Sequence, residues 1–190
     1  MRRLIIYITL TVDGLYADPD GGLGHYEPAD DEHRYANNVV AAAGDIVMGR
    51  VMYEVMRYWD SVDVTDPAVT DVEREFATFW RHTPKHIASR GRPELGPEAT
   101  LIAGDVVEAV GRLKAQDGPD IMLGCGADLL AELAGAGLID EYRLLVTPTA
   151  LGRGKPLFGS LVTPLALRLT GTRTFSSGSV LLLYEPATSP

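Results

Sequence analysis

Residues 4–11 form an almost unbroken run of apolar and β-branched side chains. Such a run predicts an inner strand covered on both faces. Val12-Asp13-Gly14 ends it, and the glycine-rich stretch 16–26 with Pro19 predicts a loop. Asp30 and Asp31 then predict the cap of a helix over 32–43. Its apolar face is Ala36, Val39, Val40 and Ala43, and Gly44 stops it. Residues 45–49 predict a second buried strand, 50–57 a short helix, and 67–82 an amphipathic helix through Val72, Phe76, Phe79 and Trp80. Strands are predicted at 85–89 and at 100–103, the latter broken by Gly104. Asp105 predicts the cap of a helix over 106–116, and 120–123 a fifth strand. Gly124-Cys125-Gly126 turns from that strand into a helix over 127–136.

The period then changes. Residues 141–147, 165–175 and 180–184 alternate as strands, with an irregular Gly- and Pro-rich segment at 148–158. Strands alternating with helices, followed by paired strands, predict an α/β fold. Its central sheet is mostly parallel with antiparallel C-terminal strands, the last third reads as a β-meander, and one domain over 1–190 accommodates the whole.

Composition narrows the possibilities. The 190 residues are 46% apolar and 23% charged, ordinary values for a globular chain. A net charge of −9 disfavours nucleic acid and membrane surfaces as partners. Cys125, the one cysteine, excludes an internal disulfide framework and suits a reducing, cytoplasmic setting. Arg2 and Arg3 before an apolar stretch superficially resemble a leader, but the stretch is short, holds Thr9 and Thr11, and lacks a small-residue cleavage site. It reads as a strand.

Three strand ends carry candidate chemistry. Gly124-Cys125-Gly126 lets backbone amides approach a phosphate at a helix N-terminus, although a tight strand-to-helix turn explains it equally. Gly49-Arg50 places a cation at a helix start, where an anion is its natural partner, although a surface arginine on a short helix explains it at least as well. Ser89-Arg90 offers a hydroxyl and a guanidinium suited to a terminal phosphate. All three lie at the carboxyl ends of strands, where open α/β sheets gather ligands. Asp13 shares that edge and either caps a turn or bonds a polar substrate. Cys125 has a helix N-terminus behind it, which lowers a thiol pKa, yet it has no evident base and reads better as a core residue. His25, His33, His82 and His86 lack metal-ligand spacing, so no metal is expected.

Four segments, in order, carry a family resemblance: Thr11-Val12-Asp13-Gly14; Val47-Met48-Gly49-Arg50 followed by Tyr53-Glu54; Leu123-Gly124-Cys125-Gly126; and the segment 148–158, PTALGRGKPLF, with its P-x-x-x-G-x-G-x-P-L-F pattern. The chain resembles the dihydrofolate reductase-like superfamily, and within it the RibD C-terminal domain of riboflavin biosynthesis. The resemblance implies a three-layer α/β/α fold, NADPH as cofactor and a small-molecule substrate, commonly in a homodimer. It implies that Thr9, Tyr16 and Ala17 lie by the nicotinamide. It also implies that Gly49, Arg50 and Val51 contact phosphate, that Ser89 and Arg90 read the 2′-phosphate, with Gly104 nearby, and that Gly124, Cys125, Gly126, Ala127 and Asp128 hold the pyrophosphate. Folate reductases have glycine where this chain has Cys125, and their pteridine-binding carboxylate falls near Glu32 or His33. Asp13 and Glu32 are the candidate catalytic carboxylates. The expected activity is hydride transfer to a small polar heterocycle such as a pterin or pyrimidine. The alternative is a non-catalytic nucleotide- or ligand-binding sensor on the same fold.

Overall fold

A computed structural model describes residues 1–24 and 26–187; His25, one of the four histidines weighed as ligands, lies outside the described residues. The elements in chain order are β1 (Leu4–Thr11), β2 (Leu15–Ala17), α1 (Asp30–Ala42), β3 (Asp45–Gly49), α2 (Arg50–Met56), α3 (Tyr58–Ser61), α4 (Asp71–His82), β4 (Lys85–Ala88) and β5 (Ala99–Leu101). There follow α5 (Val106–Lys114), β6 (Ile121–Gly124), α6 (Ala127–Gly135), β7 (Glu141–Thr147), β8 (Lys155–Pro156), β9 (Leu167–Thr174) and β10 (Val180–Pro186).

The main sheet has eight strands in the order β5-β4-β3-β6-β1-β7-β10-β9. The first six run parallel, and β10 is antiparallel to both β7 and β9. The C-terminal strands are therefore not the simple meander that their succession predicts. β10 inserts between β7 and β9, because the antiparallel hairpin β9–β10 docks by its later strand.

β1 lies inside the sheet, paired with β6 on one side and β7 on the other. Period-two alternation sends Leu4, Ile6, Ile8 and Leu10 to one face, where they pack with Leu123 of β6 and with Leu130 and Leu133 of α6. The opposite face carries a second cluster under α1 and α4, with Ile46, Met48, Phe76, Trp80 and Ile87. Each such side chain contributes about 1.5–3 kcal/mol when fully buried.

Helix starts follow local chemistry. Thr70 caps α4, its backbone amide reaching Glu73 Oε2 at 2.8 Å. Asp105 caps α5, accepting from the Glu108 amide at 2.9 Å. α1 departs from expectation: its N-cap is Ala29, whose amide donates to Glu32 Oε2 at 2.8 Å. Asp31 instead accepts from the Ser176 amide and hydroxyl, tying α1 to the β9–β10 turn.

Two segments expected to be irregular contain short strands. β2 pairs with β8, so the loop after β1 and the Gly/Pro segment before β9 are stitched together. Gly154 is required here, because a Cβ on it would lie 2.4 Å from the Ala17 carbonyl oxygen. Asp13 completes the clasp. Its carboxylate accepts from the Thr11 hydroxyl at 2.5 Å, the Gly152 amide at 2.7 Å and the Leu151 amide at 3.3 Å. Those bonds, the Thr11 hydroxyl first and the Gly152 amide next, hold the exposed Asp13 carboxyl below its ordinary pKa.

Two outcomes test this account. Leu123→Ala, at a fully buried site in the main core, lowers unfolding free energy by about 2–5 kcal/mol in denaturant titrations. Because the folded pKa of Asp13 is depressed, its ionised clasp stabilises above the unfolded value near about pH 4 and is lost as pH falls through the folded one. Asp13→Ala therefore lowers the melting temperature at neutral pH, and the gap to the parent narrows in acid. A gap independent of pH would show that the carboxylate charge does not hold the clasp.

Candidate functional site

The parallel sheet brings the carboxyl ends of β3, β4 and β6 to one edge, and a cleft of about 840 Å³ opens over them. That volume is in the range of small-molecule and cofactor sites. Tyr16, Gly49, Arg50, Val51, Ser89, Arg90, Gly104, Gly126, Ala127 and Asp128 all line it. Residues spread over more than a hundred positions of sequence thus share one cavity. Gly104 has φ +79°, in the left-handed region that glycine enters without strain, and it turns the chain toward α5.

Two helices of nine residues start at this cleft, and their ends differ. α5 is closed by the Asp105 carboxylate. α6 begins at Gly126 with no side-chain cap, so its first amides face the cleft with the positive end of the helix dipole behind them. The Tyr16 hydroxyl lies against this turn; a Cβ on Gly126 would come within 2.6 Å of it. Burial raises the Tyr16 pKa, with the Ala127 amide pulling the other way. The Asp128 carboxylate, in the first turn of α6, accepts from the Ser160 hydroxyl at 2.6 Å.

Arg90 is exposed at the rim. Arg50 Nη1 donates to both Glu54 oxygens, at 2.9 and 2.8 Å. Both partners of that pair are nearly half exposed, and pairs of this kind contribute at most about 1 kcal/mol, little enough to be exchanged for a ligand anion.

A second cavity of about 280 Å³ lies under α1, between it and the sheet. Thr9 and Gly124 line this cavity rather than the cleft. Tyr16 and Met52 line both and form the partition between them. Ala17 borders a third, small pocket of about 100 Å³ with Tyr16, Leu23 and Lys155.

Glu32 faces the second cavity but is almost fully buried. Its Oε2 accepts from the Ala29 amide at 2.8 Å and the Tyr26 hydroxyl at 3.1 Å; its Oε1 accepts from Ser177 at 2.6 Å. Asp13 lines none of the three cavities and acts as the clasp described above.

Cys125 also lines none of them. Its side chain sits in the main core with Leu123, Leu130 and Tyr142. The thiol pKa is raised rather than lowered, because complete burial outweighs the helix dipole. The Gly124–Cys125 peptide is trans.

Sequence reasoning missed most of the second cavity. Met48, Met52, Met56, Trp59, Phe76 and Met122 line it from five elements. The only local signal was the i, i+4 spacing of Met52 and Met56 on α2, which also suits an ordinary core face.

Known proteins share this fold. Residues 2–181 match the family model of the RibD C-terminal domain. The uncharacterized protein YyaP of Bacillus subtilis is 31% identical over 186 residues, covering 97% of this chain and 95% of its own. The crystal structure of a putative riboflavin biosynthesis protein from Shewanella sp. PV-4 superposes with a TM-score of 0.73 at 21% identity, covering 99% of this chain and 100% of that one. Dihydrofolate reductase from Enterococcus faecalis, complexed with NADP(H), superposes at 0.65 with 11% identity, covering 98% of this chain and 97% of that one. The three-layer α/β architecture is thus that of the dihydrofolate reductase-like proteins, and the chain belongs to the RibD C-terminal domain family.

Proposed function

We propose that the protein is an NADPH-dependent reductase whose cleft holds the dinucleotide and whose second cavity holds a small substrate. The observation that carries the reading is the uncapped start of α6 at Gly126 and Ala127, open to the cleft beside Arg50, Ser89 and Arg90. Amides at a helix start without a side-chain cap, backed by the dipole, suit a pyrophosphate that takes the place of the Tyr16 hydroxyl against Ala127. The cleft also contains Asp105, Asp128 and Glu132, which repel an anion. Two of these carboxylates already accept protein hydrogen bonds, Asp105 from the Glu108 amide and Asp128 from Ser160, which moderates that repulsion. The donor set therefore fits a dinucleotide. The RibD C-terminal family membership and the fold shared with a dihydrofolate reductase complexed with NADP(H) support the same cofactor.

When bound, the reduced nicotinamide supplies the hydride. The chain's part is to place and enclose the reactants. Ser89 and Arg90 bind the 2′-phosphate at the rim, and Gly49 with Arg50 contacts the adjacent phosphate. Thr9, Tyr16 and Ala17 flank the ring where cleft and cavity meet. Asp13 positions Tyr16 through the clasp, and Glu32 fixes the cavity wall.

Nicotinamide fluorescence tests the reading directly. The protein binds NADPH, and binds it more tightly than NADH. Arg90→Ala weakens NADPH by about ten- to a hundredfold, the loss of one charged hydrogen-bonding contact, while leaving NADH nearly unchanged. Failure to bind either dinucleotide overturns the reading; equal weakening of both removes Arg90 from the 2′-phosphate.

A further inference from the structure

We propose that the second cavity selects an uncharged, flat, conjugated carbonyl compound and rejects phosphorylated or carboxylated substrates. This rests on the reductase reading and departs from the polar heterocycle that the sequence suggested.

Among the described residues, no lysine or arginine lines the cavity. The arginines of the site, Arg50 and Arg90, face the dinucleotide cleft instead. An anionic group drawn into the cavity would lose its hydration and find no cation in return. The walls are suited to a flat ring: Trp59 and Phe76 lie with centroids 4.7 Å apart, and His33 stands 5.7 Å from Trp59. Met52 and Met56 supply soft, polarizable surface beside them. Burial lowers the His33 pKa and keeps the imidazole neutral near pH 7.

Glu32 is the only carboxylate on the cavity wall among the described residues. Its two oxygens already accept three protein donors, from Ala29, Tyr26 and Ser177. Its acceptor capacity is thus largely committed to holding α1, and little remains for the amino groups of a pterin or aminopyrimidine. The polar groups offered to a ligand are chiefly hydroxyls. Burial first, then Tyr35 and the Glu32 charge, push the Tyr7 phenol up, so it remains a protonated O–H donor, whereas the Tyr26 hydroxyl already donates its proton to Glu32. A neutral donor in an apolar cavity matches a carbonyl oxygen.

The step balances. The electrophilic carbon of the conjugated system accepts a hydride, its π pair moves to the carbonyl oxygen, and that oxygen takes one proton. NADPH is the reductant and leaves as NADP⁺, so one NADPH and one proton are consumed for each substrate reduced.

The probes are menadione (a methylated naphthoquinone), uridine 5′-monophosphate and dihydrofolate. Calorimetry measures binding with and without NADP⁺, and loss of nicotinamide absorbance, corrected for the spontaneous reaction, measures turnover. Cys125 is the only thiol and is buried, so quinone–thiol addition does not confuse the native protein. Menadione binds at least about tenfold more tightly than either anionic probe and consumes NADPH in equal amount. Trp59→Ala weakens menadione about tenfold and leaves NADPH binding unchanged. Tighter binding of uridine monophosphate or dihydrofolate overturns the proposal, as does menadione binding that Trp59→Ala does not alter. Menadione bound without any NADPH affinity would uphold the cavity's selectivity and sink the reductase reading alone.

Discussion

Parallel strand pairing is the constraint from which the rest of the molecule follows. A parallel neighbour cannot be reached by a tight turn, so the chain must cross back over the sheet between strands. Every crossing here returns the chain to the same edge. Strands β3, β4 and β6 therefore end together, and α5 and α6 begin beside them. The cleft is a geometric consequence of covering β1 on both sides and both faces. Two helix starts on that edge, α2 at Gly49 and α6 at Gly126, have no side-chain cap and turn backbone amides toward the cleft.

The second constraint is the clasp. Asp13 and Gly152 lie far apart in sequence, yet a carboxylate–amide bond of 2.7 Å joins them. The short β2–β8 pair continues the junction and carries Tyr16 to the wall shared by both cavities. Two of the four segments that carry the family likeness, Thr11–Gly14 and 148–158, are thus two halves of one structural device.

The sheet and its helices were readable because their signals are local. Leu4–Thr11 is apolar on both faces, and Asp105 marks a helix start through its own hydrogen bond. The gathering of strand ends that forms the cleft was readable for a related reason: each contribution sits at the carboxyl end of a strand, and glycine marks several of those ends. The second cavity was not. Trp59, Phe76 and Met122 each look like core residues in their own segments, and only assembly shows that they surround a space. Cys125 is the core residue that its lack of a base suggested, but its thiol pKa rises rather than falls, because the dipole of α6 is visible in sequence while depth is not. Likewise, alternation identifies β9 and β10 as strands but is silent about which one touches β7. Glu32 shows the same limit, since its partner Ser177 comes from a turn near the other end of the chain.

The placement of β10 between β7 and β9 bears on how the chain is made. During synthesis β9 leaves the ribosome before β10, but its place in the sheet does not exist until β10 has docked on β7. Until then the β7 edge, with Leu145 in its middle, stays unpaired and open to other chains. The pairing of Val180–Pro186 with β7 is thus what covers that edge, and the turn that precedes it brings Ser177 to Glu32.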